Sequence, residues 1–478
     1  MASIEVQSLG ERNEAYAKVK IRLRPEVKLE QQAAGAWVLQ RGSQKLRFTV
    51  PAGPLVEMFT SLRIDGVPIT WFQKHPNATA TLAPKTQINR LAKAGYLREV
   101  LVGLDGRERA ALQIRDVIDF ASEPPIQDHQ CELSHNCWAR WSEGTLMLES
   151  LDSDGAVLVY DMALLFQIFL LADGQSWSEV DQAIHSLLQA WLMRIGVLEQ
   201  KRKQDGKRSR EKWEFHDMVI HARSRRGFHR DGYGATFVHL NPHQQPTKRN
   251  VSKYEEFVLE RPVSACRFTT ITFADVLQKR KSIRRHSDSA IPLRALGEFL
   301  FWTFRERERQ RINGEEFSFR LYPAAGCLHE ISVYLIVQNC SGLPRGLFRY
   351  EPAGHILSLI APFEPALASV ADSAAQTCGF EGTPHVIVLL TAQIAKVSRK
   401  YEAIAYSLVL KDVGVIYHAM YLVASALGLA PCALGGGGFA DLSQWTGLSP
   451  WDEAQVGEFL VGAAANKEGE DLELSEHN

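Results

Sequence analysis

The feature that most constrains the fold is a long, nearly uncharged helical run from about Glu402 to Leu427, closed by Gly428 with Pro431 beyond. Glycine accepts the left-handed geometry that ends a helix, and proline cannot continue one. A helix apolar on all sides must be buried in a core or covered by another chain. The neighbouring runs ISVYLIV (from Ile331) and HVIVLLT (from His385) are apolar throughout, which marks strands covered on both faces. A second apolar helix, Leu293 to Phe304, opens at Pro292. Strands alternating with helices around one central helix predict an α+β sheet domain, with that helix deeply buried or serving as a dimer interface.

The remainder of the chain leaves room for more than one domain. Its 478 residues suggest two or three. Hydrophobic residues at 45% and charged residues at 23% are ordinary globular proportions, which excludes a fibrous or wholly disordered chain. A net charge of −1 supplies no field to steer the protein onto nucleic acid or an anionic membrane, so neither is expected as a partner. Seven scattered cysteines without a CxxC pair argue against a disulfide framework or a zinc ribbon and fit a reducing cytoplasm. The amino terminus lacks the apolar core of a signal peptide. The stretch Met162 to Ala172 is too short to cross a bilayer and reads as a buried helix.

The first two hundred residues show an element order that recurs roughly a hundred residues on. VKLEQQ, AWVLQ and LRFTV read as strands, followed by the helix PLVEMFTSL, Asp65-Gly66, a second helix and INRLAKAGYLREVLV. From Cys131 the order returns as strands, an apolar helix, Asp173-Gly174 and the closing segment ending GVLEQ. Each half, strands with three helices, has a winged-helix-like layout. Mixed charge on the helices weighs against DNA binding. Capture of an extended peptide at a sheet edge, or a purely structural role, remain the two readings. The expected organisation is module 1 at 1–110, module 2 at 120–205, a linking and wrapping segment at 206–265, and a last domain at 266–478. Lys201 to Lys212, rich in Lys and Arg, reads as a solvated linker. His216 and His221, five apart, do not share a helical face and are a poor metal pair.

Chemistry concentrates in the last domain. Thr272, with Asp275 three residues on, is an N-cap for the short helix FADVLQKR. In the extended chain that follows, Arg280, Ser282 and Arg284 point the same way. Two guanidiniums and a hydroxyl in a row suit a phosphate ester, a ribityl chain or an anionic ring. Tyr322-Pro323-Ala324-Ala325-Gly326 forms a loop of small residues, Lys400-Tyr401 precedes the central helix, and Gly435 to Gly438 follow the strand after it.

RKSIRR, the YPAAG loop, GLFRYEP, the Lys-Tyr pair and LGGGGF together resemble the FMN-dependent nitroreductases. Within them they are similar to the SagB-type azoline dehydrogenases, and with the two leading modules most like a cyanobactin oxidase. WEFHDMVIHARSRRG is similar to the segment preceding the flavin domain in that subfamily. The resemblance spans roughly residues 213–465 and is only architectural before that.

It implies FMN, with Arg280 at the phosphate, Ser282 at the ribityl chain and Arg284 near N1 and O2 of the isoalloxazine, favouring hydride acceptance. It implies a homodimer in which a partner-subunit loop faces the flavin. That loop, Pro-Ser-Ser or Pro-Ser-Ala in the family, is Pro323-Ala324-Ala325 here, without the serine hydroxyl. Gly436, Gly437 and Gly438 match the turn whose amide faces flavin N5, where a side chain would block approach, with the register open by a position or two. Lys400 and Tyr401 match the catalytic pair. Tyr401 is preferred as base with Lys400 its electrostatic partner, and the assignments are exchangeable. Free tyrosine and lysine titrate near 10 and 10.4, so a base at neutral pH needs help from neighbours.

The implied reaction is oxidation of thiazolines or oxazolines in a heterocyclised precursor peptide, with dioxygen as final oxidant. An NAD(P)H-dependent reductase of nitro compounds, quinones or flavin is the alternative of the same fold. A non-catalytic scaffold presenting a precursor peptide is the alternative from another class.

Overall fold

In the computed structural model, residues 18–465 are described apart from 76–83, 119–130, 169–181, 201–211, 226–232, 238–254, 263–269, 437–441 and a few shorter gaps. The chain divides into two units, Met1–Tyr233 and Gly234–Asn478. The linker expected at Lys201–Lys212 falls almost wholly outside the described residues.

Among its described residues the first unit has twelve strands: β1 Lys18–Leu23, β2 Val27–Gln31, β3 Ala36–Arg41, β4 Gln44–Thr49, β5 Val67–Pro68, β6 Leu97–Val102, β7 Glu108–Gln113, β8 Cys131–Leu133, β9 Cys137–Ser142, β10 Thr145–Ser150, β11 Ala156–Val159 and β12 Leu198–Gln200. Seven of them form one antiparallel sheet in the order β5-β1-β6-β7-β11-β10-β9, and β2-β3-β4 form a separate meander. β1 alternates cationic and apolar residues and buries Ile21 in a first core cluster with the Pro54–Ile64 and Pro84–Lys93 helices. A second cluster gathers around Leu188, Trp191 and Leu192 of the Gln182–Arg194 helix.

The break expected after residue 110 is absent, because Ala110 lies inside β7, which pairs with β6 on one side and β11 on the other. Ala110, Ala111 and Leu112 are fully buried, so this strand needs neighbours on both edges and both faces. Glu99 of β6 ties the halves further, accepting from Trp191 Nε1 at 3.2 Å and Arg194 Nη1 at 2.9 Å. Of the apolar stretch at 162–172, helix is described at 162–165 and at 168, with Leu164 and Ile168 buried and Met162 exposed.

The second unit holds β13 Glu256–Val258, β14 Ile291–Pro292, β15 Glu306–Ile312, β16 Glu315–Arg320, β17 Ile331–Val337, β18 Cys340–Ser341, β19 Gly346–Glu351, β20 Ile356–Pro362, β21 Val386–Gln393, β22 Leu429–Leu434 and β23 Glu453–Ala463. Its main sheet runs β13-β20-β19-β17-β21-β23-β22. The described ladders of that sheet are all antiparallel. Parallel pairing among the described residues is confined to the short β14·β18 ladder and a bridge between Arg285 and Glu381. β17 and β21 are buried at nearly every position, as their unbroken apolar runs require.

β13 comes from the stretch expected to link the domains, and Gly234–Phe237 also packs within this unit, so the domain reaches back well before residue 266. The central helix spans Ala405–Ala426. It buries one stripe, Val409, Val413, Ile416, Met420 and Ala424, and leaves Tyr406, Leu410 and Val415 exposed. Of the two expectations, deep burial or a dimer interface, burial holds on one face only, and the helix has one inner apolar face and one outer one. Its length and composition alone would allow a membrane span, yet the inner stripe belongs to the domain core.

Buried ionisable groups set the pH dependence of this unit. Burial, reinforced by His385, lowers His286 to about 3, and burial lowers His329 and His355 to about 4. Burial raises Glu330 and Glu458 to about 7. Between pH 6.5 and 4.5 the unfolded chain takes up three histidine protons that the folded one refuses, while the folded chain keeps two carboxyl protons that the unfolded one releases. The unfolded state then holds one extra proton, so stability falls by about 1.4 kcal/mol per pH unit on acidification. Below about pH 4.5 the unfolded carboxyls protonate while His329 and His355 begin to charge in the folded chain, so the loss continues at a similar slope until His286 charges as well. Below pH 8 maximal stability is expected near pH 6.5, with a separate rise above pH 8 where the folded chain gives up the buried Lys396 proton, both read as hydrogen-exchange protection of β17 and β21 across pH. Protection that climbs without a break from pH 6 to 8 would contradict it.

Candidate functional site

Two constellations lie on the second unit, both anchored to the central helix. The first begins at the Phe273–Lys279 helix, whose Thr272 and Asp275 form a capping box. The chain leaves that helix at Arg280 and runs extended past β22, where the Ile283 N–H donates to Pro431 O at 2.8 Å. Arg280 lies over the Tyr421 ring at 5.3 Å from its centre. Ser282 Oγ and the Tyr421 hydroxyl share a hydrogen bond of 2.6 Å, and that hydroxyl accepts the Ala433 N–H at 2.8 Å. Ser282 and Arg284 both act on the buried Cys432 thiol, which burial pushes up to about 11 against their opposing pull.

Alternate residues of the segment thus share one side, as an extended chain demands. Just beyond, His286 accepts the His385 N–H at 2.9 Å and its other ring nitrogen meets Ala430 O at 3.2 Å, pinning the segment to the sheet. The Arg280 and Arg284 side chains are exposed and have no acidic partner among the described residues. Two unpaired guanidiniums with a fixed hydroxyl between them fit a phosphorylated, hydroxylated ligand. Gly435 and Gly436 follow β22 with open space where a β-carbon would stand. Gly437 and Gly438 lie outside the described residues.

The second constellation joins residues far apart in sequence. After Pro323 and Ala324 the chain makes a single 3-10 turn, Ala325–Cys327, with Gly326 at φ +59°. A β-carbon built on Gly326 would stand 2.6 Å from Lys400 Nζ and 2.8 Å from Tyr401 Oη. Both polar tips therefore rest on this glycine. Lys400 Nζ lies 5.4 Å from the Tyr401 ring centre. Gly234–Phe237 straps the pair in place: Ala235 bridges Tyr401, Phe237 N–H donates to Lys400 O at 3.2 Å, and Glu402 N–H donates to Gly234 O at 3.2 Å. Asp412 of the central helix accepts the Ala325 N–H at 2.8 Å.

Arg280 and Ser282 thus meet at the level of Tyr421, whereas Pro323–Gly326, Lys400 and Tyr401 gather toward the start of the same helix. Asp412 and Tyr421, nine residues apart, are separated by about 14 Å along the axis at 1.5 Å per residue. Tyr421 and Asp412 were not expected from the sequence. A lone carboxylate in so apolar a helix is the signal that marks Asp412, while nothing local distinguishes Tyr421.

Comparison with known proteins bears on both units. Residues 277–463 match the family described as the nitroreductase family, and residues 131–230 match the one described as cyanobactin oxidase ThcOx. A protein named as a nitroreductase in Methanocaldococcus jannaschii is 26% identical over 165 residues, which are 34% of this chain and 79% of that protein. Among solved structures, one named as a nitroreductase from Ralstonia eutropha aligns at 22% identity over 47% of this chain and 96% of its own, with a TM-score of 0.35. A chain of the E. coli microcin synthetase McbBCD complex, solved with truncated pro-MccB17 bound, aligns at 19% identity over 44% of this chain and 76% of its own, with a TM-score of 0.34. The nitroreductase family is FMN-dependent. The chain is accordingly an oxidoreductase carrying a nitroreductase-family domain at residues 277–463, behind a segment of cyanobactin-oxidase type at residues 131–230.

Proposed function

We propose that the protein oxidises thiazolines or oxazolines of a heterocyclised precursor peptide to the aromatic azoles. The observation that carries this reading is the convergence of Lys400 Nζ and Tyr401 Oη on Gly326, a polar pair set on a glycine floor. Azoline aromatisation removes one ring proton and one hydride. FMN, when bound, supplies the hydride acceptor and passes the two electrons on to dioxygen. Tyr401 acts as the base that takes the ring proton at Oη, and Lys400 is its electrostatic partner. Arg280 and Ser282 hold the phosphate and ribityl end, Arg284 stands toward the ring, and Gly436 to Gly438 let the backbone approach it.

Because Pro323–Gly326 and the Lys400–Tyr401 pair form one constellation, whichever protomer of a homodimer offers its loop to a flavin offers its catalytic pair too. The exposed apolar side chains Tyr406, Leu410 and Val415 of the central helix support that homodimer. Light scattering that found a flavin-loaded monomer would remove it. The first unit, read as two winged-helix-like modules, is assigned to binding the precursor peptide. β9 has one unpaired edge among the described residues and carries the exposed Trp141. The free thiols among the described cysteines suit a cytoplasmic protein.

The test is anaerobic bleaching of the purified yellow protein. A thiazoline peptide is expected to bleach it and emerge two hydrogens lighter, while NADPH leaves it oxidised. Bleaching by NADPH alone would favour the reductase, the reading that the nitroreductase match on its own supports. Arg280→Ala is expected to weaken FMN retention by about 10- to 100-fold, the loss of one charge-assisted contact, measured by fluorescence titration of the apoprotein. Unchanged affinity would sever Arg280 from the cofactor.

A further inference from the structure

The chemistry above draws on no group from the interior, yet two carboxyls meet beneath the loop that carries Gly326. Asp412 Oδ2 accepts the Ala325 N–H at 2.8 Å. Glu330, just ahead of β17, is fully buried, and neither of its carboxylate oxygens meets a donor among the described residues. The two carboxyls lie close enough for each to perturb the other, with no donor between them. Ionised together in a dry site they would repel. One proton between them removes the repulsion and supplies the donor that Glu330 lacks.

The surroundings allow this without cancelling it. Lys396, on the short Ile394–Ser398 helix, faces Glu330 and donates to His329 O at 3.2 Å. Arg320 and Glu306 act on Lys396 from the β15–β16 hairpin. The buried Tyr322 hydroxyl, close enough to feel both carboxyls, already accepts from Arg320 Nη1 at 2.9 Å. Burial raises both carboxyls, Glu330 to about 7, while Lys396 opposes that rise. Lys396 is itself lowered to about 8 by burial and by Arg320.

We propose that Glu330 and Asp412 hold one proton between them, and that Asp412, through the Ala325 amide, fixes Gly326 as the floor on which Lys400 and Tyr401 are aligned for catalysis. Asp412 is thus a positioning residue, and its importance to turnover rests on the oxidase reading above. Loss of the shared proton sets two anions against each other below the turn, which lets the turn shift and lowers turnover on the alkaline side of neutrality.

The test uses the full-length flavin-loaded protein and two readouts. Infrared difference spectra at pH 6 are expected to show, beside a Glu458 band that every variant keeps, a carboxylic acid carbonyl band that titrates away above neutrality and is missing in both Glu330→Gln and Asp412→Asn. Asn offers an oxygen to Ala325 and an amide hydrogen to Glu330, so Asp412→Asn is expected to keep kcat within about threefold and to flatten its alkaline fall. Asp412→Ala, with no acceptor, is expected to lose about tenfold or more in kcat at unchanged FMN content. Amide exchange of residues 322–328 is expected to quicken in the Ala variant and not in the Asn variant, whether or not turnover is observed.

No carboxylic acid band in the wild type beyond that of Glu458, or an Ala variant with wild-type kcat and wild-type exchange, overturns the proposal. If Asp412→Ala fails to fold, Glu330→Gln decides alone: a missing band with flat kcat from pH 6 to 8 supports it, and an unchanged band or an unchanged alkaline fall overturns it. A wild type with the band and the exchange pattern but no thiazoline oxidation defeats the oxidase reading and leaves the shared proton supported.

Discussion

Tyr401→Phe is expected to lower kcat for azoline oxidation by about 10²- to 10⁴-fold while leaving FMN content unchanged, the range spanned by loss of a positioned general base. The substitution removes only Oη. The ring remains, with Lys400 Nζ 5.4 Å from its centre. Flavin content is expected to hold because Arg280 and Ser282 are organised by Tyr421, more than two turns further along the central helix than Asp412. Lys400→Met keeps most of the aliphatic stem and removes the charge, and a loss of similar size is expected. If the pair acts as a unit, the double variant is no worse than the poorer single one, because a proton transfer already lost cannot be lost again. Single-turnover bleaching with a thiazoline peptide measures the step directly. Wild-type bleaching in Tyr401→Phe with a large loss in Lys400→Met would exchange the two roles, and wild-type bleaching in both would remove the pair from the chemistry.

What could be read from the chain alone was local. The Thr272–Asp275 cap, the Leu293–Phe304 helix and the unbroken apolar strands β17 and β21 are set by residues within a few positions of one another, and each stands where its pattern places it. The alternation of Arg280, Ser282 and Arg284 belongs to the same class, since extended chain fixes which side chains face together. What escaped depends on partners distant in sequence. β7 carries no mark that it continues into β11, because burial of alanines on both faces shows only once both neighbours are present. β13 is three residues long and gains its identity from pairing with β20. Lys400 and Tyr401 were singled out, but nothing near them announces Gly326 as their support. The central helix was read as apolar on every side because its hydropathy pattern does not say which face finds a core. Asp412 was passed over inside that run, although an acid there is costly unless it is paired.

The same separation of local and distant causes shapes the second large effect. Gly326→Ala is expected to fold, with a modest loss of stability, and to lose most of its oxidase activity. At φ +59° an L-residue is strained by roughly 1–2 kcal/mol. The added methyl would stand 2.6 Å from Lys400 Nζ and 2.8 Å from Tyr401 Oη, closer than carbon can approach either atom. Both are the far ends of half-buried side chains, so they yield where backbone atoms would not. The fold therefore bears only the backbone strain, while the catalytic tips are driven from their common seat. Displacement by about 1 Å of groups that must meet a bound substrate typically costs on the order of 10²-fold in rate. Thermal melting, FMN titration and kcat measured on one preparation separate the two consequences. The expected result is a small fall in Tm, unchanged FMN affinity and a collapsed kcat. A variant with both stability and kcat preserved would mean that Lys400 and Tyr401 act from other positions, and that the glycine floor is incidental to them.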